Sequence, residues 1–314
     1  MISIALATYN GELFLKEQME SLINQTITEY EIVICDDNST DSTYKILLEY
    51  KSKYSFVKVF RNERNLGFKK NFEKIIGLCS GNYIAFCDQD DIWTSDHLEI
   101  LLETIENNYF VGANSELIDQ SGNRLDLSLM NTKKQTYIPS SAEYKKTLCY
   151  SNIFQGACSM GRTEFLKKCL PIPENVKYHD WWFALIASMD DKIVYSKNVV
   201  LFYRQHENNV TRNNKFNLVK KISDYLFNKG CKKKLREQWV INKTMLMEYE
   251  KKFFSQDSVS DAIKFYDSCL SGDIKSIILH FFTNYKLMFL AEKESFIFIF
   301  RLINYILCSH GGRR

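Results

Sequence analysis

The sequence predicts an α/β protein with a mostly parallel sheet flanked by helices, followed by a C-terminal all-α region. Two observations carry this prediction. Residues 1–110 alternate short β-rich runs with amphipathic segments, a pattern typical of parallel sheets covered on both faces. From residue 213 onward, only helical patterns remain. We therefore place an α/β domain at residues 1–212 and a helical region at residues 213–314.

Strand–helix pairs account for the first part of the predicted domain. Each strand is a short run rich in β-branched or aromatic residues, and each helix repeats apolar residues every three or four positions. The predicted strands are Ile2–Ala7, Ile32–Cys35, Val57–Phe60 and Tyr83–Cys87, and the helices are Leu13–Ile23, Ser42–Tyr54, Phe68–Cys79 and Asp96–Asn107. Later elements are a strand pair in Cys149–Met160, a helix at Asp180–Met189, a strand at Ile193–Arg204, and C-terminal helices at 232–254, 258–270, 272–290 and 295–308.

Composition indicates an ordinary globular protein, since 45% of the 314 residues are hydrophobic and 25% are charged. The net charge of +3 is too small to indicate a nucleic-acid partner. None of the nine cysteines forms a C-x-x-C pair, and several lie in apolar runs, so we expect reduced, buried thiols in a cytoplasmic protein. We expect neither a secretory signal nor a membrane span, because no uncharged apolar run reaches about 18 residues.

Three polar segments follow predicted strands directly: Thr8-Tyr9-Asn10, Asp36–Ser39 and Asp88–Asp91. In open α/β sheets, ligands bind beyond the carboxyl ends of the strands, so these segments form the candidate site. The last segment, Asp88-Gln89-Asp90-Asp91, crowds three carboxylates that repel one another unless a hard cation such as Mg²⁺ or Mn²⁺ lies among them. The alternative is a solvated turn in which Asp91 or Asp96 caps the next helix.

Four motifs occur in order along residues 1 to about 210: Ile4–Gly11, Asp36–Asp41, Asn65–Phe68 and Asp88–Trp93. Each motif alone is weak, but their order and spacing resemble the family-2 glycosyltransferases. The resemblance implies the GT-A fold, which is Rossmann-like. The Asp-Gln-Asp-Asp-Ile-Trp string of the last motif is most similar to rhamnosyltransferase-like members that build bacterial surface polysaccharide.

This resemblance implies a nucleotide pocket for a UDP- or dTDP-linked sugar. Tyr9 would offer its ring to the base, Asp37 would accept a hydrogen bond from a pyrimidine N–H, and Asp36 would support the turn. Lys69 would lie near phosphate. The implied nucleotide-binding residues are Ala7, Thr8, Tyr9, Asn10, Glu12, Asp36, Asp37, Asn65, Gly67, Lys69, Asn71, Asp88 and Gln89.

The resemblance also implies a metal site and a catalytic base. Asp90 would coordinate the Mg²⁺ or Mn²⁺ that bridges the diphosphate, with Asp88 and His206 as further ligands. An imidazole beside carboxylates suits Mn²⁺. Direct transfer with inversion needs a carboxylate to take the acceptor proton, and Asp180 matches the acid of the family's acid–aromatic motif. The structural alternative for Asp180 is a helix N-cap.

A further set of residues is predicted on the acceptor or phosphate side. Gly156 would permit close approach of substrate or mark a strand bulge. Trp181 and Trp182 would either pack in the core or form a platform for the acceptor sugar, and Arg204 would meet phosphate oxygens. Asp91 would be a second metal ligand or the start of a helix. The set comprises Asp91, Trp93, Gln155, Gly156, His179, Trp181, Trp182 and Arg204.

The helical region begins basic and ends apolar. Nine Lys or Arg residues and a single acid lie between Arg212 and Arg236, and Phe296–Leu307 is an apolar run interrupted by Arg301 and Asn304. This run is too short to span a bilayer. Two interpretations stay open: packing or homodimerisation of the helices, and binding to the inner face of the cell membrane, which would suit a lipid-linked glycan acceptor.

The leading hypothesis is an inverting, metal-dependent enzyme that moves a sugar from dTDP-rhamnose or a UDP-hexose to a glycan or lipid-linked glycan. One alternative is a nucleotidyltransferase, which usually carries a basic, Gly-rich phosphate loop near its N-terminus. The corresponding place here has no Lys or Arg before Lys16. Another alternative is a non-catalytic module that binds sugar nucleotides or glycans.

Overall fold

The computed structural model describes residues 1–128, 139–206, 229–253, 256–289 and 295–309. These residues form two compact units. The first unit contains residues 1–128, 153–172 and 178–206, and the second contains residues 139–152 and 173–177 together with the helices after residue 228. The predicted boundary between residues 212 and 213 lies outside the described residues and stays a prediction.

The first unit is built on one mixed sheet with the strand order β3-β2-β1-β4-β8-β6-β9-β5, and β7 pairs with β6. The strands β1 to β4 pair in parallel, as do β6 and β9, whereas β8 lies antiparallel between β4 and β6. The strands are β1 (Ile2–Thr8), β2 (Tyr30–Asp36), β3 (Val57–Arg61), β4 (Tyr83–Cys87), β5 (Ile92–Trp93), β6 (Phe110–Ile118), β7 (Arg124–Ser128), β8 (Ser159–Arg162) and β9 (Ile193–Arg204).

Helices cover the sheet because their apolar positions recur with helical spacing. For example, α3 buries Phe72, Ile75 and Ile76, and α1 buries Leu15, Met19 and Leu22. All four predicted strand–helix pairs are confirmed, with ends shifted by a few residues. The helices of the first unit are α1 (Leu15–Ile23), α2 (Thr43–Lys53), α3 (Phe68–Leu78), α4 (His97–Ile105), α6 (Thr163–Lys168) and α7 (His179–Met189); α5 (Ser141–Thr147) belongs to the second unit.

The predicted strand pair in Cys149–Met160 is wrong. Only β8 is a strand in this region, and a 3₁₀ turn at Gly156–Cys158 precedes it. Apolar residues such as Ile153 and Phe154 are buried by side-chain packing. Their sequence pattern therefore resembles that of a strand, although they do not form one. The partners of β8 in the sheet are β4 and β6, and the sequence did not predict β6.

The second unit consists of α5 and of α8 (Lys229–Lys252), α9 (Asp257–Ser271), α10 (Ile274–Phe289) and α11 (Ser295–Ser309). The predicted C-terminal all-α region is confirmed. Tyr305 of α11 packs its ring against Trp239 and Phe281, at centroid distances of 5.1 Å in both cases. The side chains of residues 295–300, which include half of the predicted apolar run, lie outside the described residues. Within the described ranges, no helix combines the length and apolar character needed to cross a membrane.

Candidate active site

The three polar segments predicted from the sequence meet at the carboxyl edge of the sheet. The Tyr9 N–H donates to Gln89 Oε1 over 2.8 Å, and Gln89 Nε2 donates back to the Tyr9 carbonyl over 3.0 Å. The Asn10 N–H donates to Ser39 Oγ over 3.0 Å. A Cβ atom at Gly11 would lie 2.3 Å from Gln89 Oε1, so a side chain there would displace the Gln89 amide from its two hydrogen bonds with Tyr9.

Among the predicted nucleotide-binding residues, several side chains are accessible and several are not. Tyr9 is 46% exposed, which leaves its ring free to stack against a base. Thr8, in contrast, is buried and donates to Asp36 Oδ1 over 3.3 Å. Asn71 is also buried and donates to the Cys35 carbonyl over 2.8 Å, so both residues brace the strand ends rather than face a ligand. The accessible or half-accessible residues are Ala7, Tyr9, Asn10, Glu12, Asn65, Gly67, Lys69, Asp88 and Gln89.

Asp36 supports the turn after β2. Its carboxylate is fully buried and accepts hydrogen bonds from the Ser39 hydroxyl over 2.5 Å and from the Ser39 N–H over 3.0 Å. Arg61 Nε lies 3.4 Å from the same carboxylate. These contacts hold the turn after β2 in place.

Asp37 holds the loop that follows β3. Its Oδ1 accepts from Asn62 Nδ2 over 2.7 Å and from the Leu66 N–H over 2.8 Å, and its Oδ2 accepts from the Gly67 N–H over 2.9 Å. Gly67 has a φ of +79°, a conformation that favours glycine. The carboxylate that we predicted to meet a base N–H is 2% exposed and occupied by this loop, so the arrangement does not offer it to a base.

Asp90 and His206 lie side by side, with His206 Nε2 2.8 Å from Asp90 Oδ2. Both are half-buried: their side chains are 19% and 9% exposed, respectively. Burial, together with the repulsion of the Asp90 and Asp180 carboxylates, raises the pKa of Asp88 to about 7. In the parts of the chain that the structure describes, no three metal-binding side chains are already grouped together. The side chains of Asp88, Asp90 and His206 nevertheless fit a hard divalent cation. They supply carboxylate and imidazole donors, and neighbouring positive charge only partly balances the negative charge of the carboxylates.

Asp91 does not start a helix. The helix α4 begins at His97, whereas Asp91 precedes β5 and is fully buried. Its Oδ1 accepts the Arg204 N–H over 3.0 Å, and its Oδ2 has no hydrogen-bond partner among the described residues. Burial raises the pKa of this carboxyl well above its usual range, and the charges of Asp90 and Asp88 add to the shift. Asp91 therefore pins β9 beside the Asp88–Asp91 segment, and its burial keeps it from ligating an incoming ion.

Arg204 does not face phosphate, so that prediction is wrong. Its side chain is 1% exposed. The Nε donates to the Asp90 carbonyl over 2.9 Å, Nη1 donates to the Gln120 carbonyl over 2.9 Å, and Nη2 lies 2.5 Å from Glu17 Oε2. The guanidinium also lies 4.8 Å from the ring of Phe14. The donors point into the protein, where they support the backbone at Asp90.

Phe14 connects this arginine to the predicted metal ligand. The centroid of the Phe14 ring lies 4.9 Å from that of His206, and the same ring packs against the Arg204 guanidinium. Asp90 is thus held twice, at its carbonyl by Arg204 and at its carboxylate by His206. Neither Phe14 nor Glu17 was predicted as a site residue, because both lie in the helical pattern of α1.

Asp180 lies in the first turn of α7, with Tyr178 at the N-cap position, so Asp180 is not the cap. Its Oδ1 accepts the Trp181 N–H over 2.7 Å, and the residue is 8% exposed. A Cβ atom at Gly156 would lie 3.8 Å from Asp180 Cβ, which places the predicted Gln155–Gly156 segment beside this residue. Asp180 also lies near enough to Asp88 for its charge to raise the pKa of that carboxyl.

The aromatic residues of the predicted acceptor side form core instead. Trp182 is fully buried and donates from Nε1 to the Cys169 carbonyl over 3.2 Å, and Trp181 is 4% exposed. Trp93 is buried and stacks on His97 at 3.5 Å. These side chains have no surface on which a sugar could lie, so of the two alternatives for Trp181 and Trp182 the structure favours packing in the core.

His179 is a core residue beneath Asp180. Its ring packs against Phe72 at 4.2 Å and Phe86 at 5.1 Å, and burial lowers its pKa to about 3. Among the described residues, neither ring nitrogen has a hydrogen-bond partner. His179 therefore acts as a neutral spacer that fixes the start of α7, and it does not contact the acceptor.

The mixed sheet, with polar segments at its carboxyl edge, defines a protein of the GT-A glycosyltransferase class. Residues 3–170 match Glycosyl transferase family 2, more than half of the chain, and the chain belongs to this family. The dTDP-rhamnosyl transferase RfbG of Shigella flexneri is 29% identical over 232 residues, which cover 65% of this chain and 72% of that protein.

A second relative is the UDP-Glc:alpha-D-GlcNAc-diphosphoundecaprenol beta-1,3-glucosyltransferase WfgD of Escherichia coli. It is 27% identical over 232 residues, which cover 72% of this chain and 85% of WfgD. Among solved structures, residues 1–349 of S. aureus TarS in complex with UDP-GlcNAc match with a TM-score of 0.58 and 18% identity. That likeness covers 98% of this chain and 90% of the TarS chain, and it supports the fold alone.

Proposed function

We propose that this protein transfers a sugar, with inversion, from a UDP- or dTDP-linked donor to a glycan acceptor in bacterial surface-polysaccharide synthesis. The observation that carries this proposal is the pairing of Asp90 with His206 at the edge of the sheet, with Asp180 near enough to Asp88 for its charge to raise the pKa of that carboxyl. That arrangement combines a cation site with a carboxylate base, the two groups that a single displacement at a sugar carbon requires.

Each residue has a separate task in this mechanism. Tyr9 stacks against the base with its exposed ring, and the segments joined by Gln89 shape the pocket around it. Asp90, His206 and Asp88 would hold Mg²⁺ or Mn²⁺, which when bound neutralises the charge of the departing diphosphate. Asp180 takes the proton from the acceptor hydroxyl as its oxygen attacks the sugar carbon.

The charge state of Asp88 supports this division of roles. Without a cation, burial and the repulsion of Asp90 and Asp180 favour its protonated form near neutral pH. The deprotonated carboxylate would be the form that a bound cation stabilises. Metal binding should therefore release a proton from this part of the site.

The choice of donor rests on the relatives. One carries dTDP-rhamnosyl and another UDP-Glc in its name, and both donors have a pyrimidine base. The relative that is named for a diphosphoundecaprenol-linked sugar also supports a lipid-linked glycan as acceptor. We accordingly propose dTDP-rhamnose or a UDP-hexose as donor, and an enzyme that works at the inner face of the membrane.

The test compares Asp180→Asn with wild type in the release of UDP or dTDP from a panel of nucleotide sugars, with and without Mn²⁺. Loss of the base should lower kcat by roughly 100-fold or more, while donor affinity stays within a few-fold of wild type. Asp190→Asn, at the other end of α7, is the matched control. Unchanged transfer by Asp180→Asn would exclude Asp180 as the base, and donor binding without any turnover by wild type would favour a non-catalytic module.

A further inference from the structure

The second unit contains a cavity that the proposed transfer does not use. Its volume is about 440 Å³, enough for a few sugar rings. The cavity lies between α9 and α10 and is closed at one end by residues that follow α5. Its lining residues include Lys146, Tyr150, Ser258, Asp261, Phe265 and His280.

One face of each helix lines this cavity. Lining residues recur every three or four positions along α9, from Ser258 to Ser268, and along α10, from Ser276 to Thr283. Positions with this spacing share one side of a helix. Four of them are Ser or Thr, whose short side chains leave open the space that longer side chains would fill, and each brings a hydroxyl group.

Aromatic rings form the floor. Phe265 is buried and stacks on His280 with centroids 4.2 Å apart and planes 17° apart. The Tyr150 hydroxyl lies 2.8 Å from His280 Nε2, and the Tyr150 ring meets Phe265 edge-on at 5.9 Å. Burial holds the pKa of His280 at about 4, so the ring is neutral near pH 7. The floor is thus aromatic and uncharged.

Charged residues lie at the rim of the cavity, and their charges largely cancel. Asp261 and Lys264 are 3.7 Å apart and both exposed, and Lys146 is the remaining lining cation. A single surplus positive charge is a poor cradle for phosphate, and a single carboxylate is a poor site for a metal ion. The lining instead suits a neutral molecule with flat C–H faces and many hydroxyl groups.

We propose that this cavity is a second saccharide-binding site, which holds a neutral stretch of glycan against the half-buried rings of His280 and Tyr150, which Phe265 supports from beneath, and against the surrounding hydroxyl groups. The naming of the ligand as a glycan rests on the proposed glycosyl transfer. Sugar C–H groups pack on the aromatic floor, and sugar hydroxyls exchange hydrogen bonds with the Ser and Thr hydroxyls and with Asn284. Such a site retains the glycan through the contacts of the helical unit rather than those of the sheet.

Saturation-transfer NMR on the full chain tests this assignment. The probes are maltotetraose, cellotetraose, chitotetraose and mannotetraose, without nucleotide. At least one probe should receive saturation, and Ser268→Arg, which fills the cavity, should reduce the transfer at least fivefold. Ser271→Arg, on the same helix but outside the lining, should leave it unchanged. Thr283→Arg, which fills the cavity from α10, serves as a second variant if Ser268→Arg does not fold.

Two results would overturn the proposal: no transfer to any of the four probes, or equal transfer to wild type and to a folded cavity-filling variant. Titration of the same samples with UDP and dTDP separates this outcome from the catalytic proposal. Ser268→Arg should bind nucleotide as wild type does. Nucleotide that fails to bind any of the samples counts against the transferase mechanism and leaves the NMR result on the cavity standing.

Discussion

Arg204→Met should weaken metal binding although the Arg204 guanidinium contacts none of the side-chain atoms that would ligate the metal. In the structure its guanidinium bonds to the carbonyls of Asp90 and Gln120 and packs on Phe14, which in turn packs on His206. Methionine fills similar volume but donates no hydrogen bond. The backbone bond from Arg204 to Asp91 is unaffected, so the pairing of β9 beside this segment should persist.

The expected magnitude follows from the contacts that are lost. Each buried carbonyl left without its donor costs roughly 1–3 kcal/mol. Glu17 is 58% exposed, so solvent screens its pair with Arg204 and that pair adds little. We expect the free energy of unfolding to fall by about 3 kcal/mol. Because Asp90 and His206 lose a fixed support, Mn²⁺ affinity should fall by about 10- to 100-fold.

Urea unfolding measures the first effect, and titration of Mn²⁺ followed by electron paramagnetic resonance, with and without UDP, measures the second. Arg162→Met is the matched control, since Arg162 also donates to backbone carbonyls, those of Asn108 and Glu106, and packs on Tyr83. It should destabilise the fold without changing Mn²⁺ affinity. If Arg204→Met lowers stability but binds Mn²⁺ as wild type does, Arg204 has a structural role only and the reasoning fails.

Three further predictions concern other parts of the chain. Burial holds the pKa of His97 and His179 at about 3, whereas these histidines bind protons below about pH 6.5 in the unfolded chain. The free energy of unfolding should therefore fall by about 2 kcal/mol per histidine between pH 7 and pH 5. In urea unfolding, the stability of His179→Phe should depend less on pH than that of wild type, and an unchanged dependence would contradict this prediction. Asp37→Asn should release the loop at 65–67 and raise its proteolysis and hydrogen-exchange rates, with little change elsewhere. Binding to anionic liposomes should depend on salt if the Lys232–Lys234 cluster meets the membrane, and the absence of binding at low salt would leave packing or dimerisation as the role of the helical region.

Sequence patterns predicted the first half of the sheet because β1 to β4 are separate apolar runs that each precede an amphipathic helix. They missed β6, although it lies inside the sheet, because Gly112, Asn114 and Ser115 interrupt its apolar run. Asn114 and Ser115 are buried nonetheless. Pairing with neighbouring strands therefore determines that β6 is a strand, and its local sequence pattern does not predict it.

The site likewise contains some features that the sequence predicted and some that it did not. Asp90 and His206 were predicted together because the resemblance to family-2 glycosyltransferases implies both as metal ligands, and the structure brings them within hydrogen-bond distance. The role of Arg204 was not predictable, because its partner Glu17 is 187 positions away along the chain and spacing carries no information on such a contact. An arginine next to a predicted metal site looks like a phosphate ligand until its burial is known.

The central claim is that Asp90 and His206 bind a divalent cation that in turn binds the donor diphosphate. Calorimetric titration of wild type and Asp90→Asn with UDP and dTDP, in Mn²⁺ and in EDTA, tests it most directly. We predict that one of the two nucleotides binds wild type in Mn²⁺, and that its affinity falls at least tenfold in EDTA and in Asp90→Asn. Equal affinity in all of these conditions, or no binding of either nucleotide in Mn²⁺, would contradict the claim.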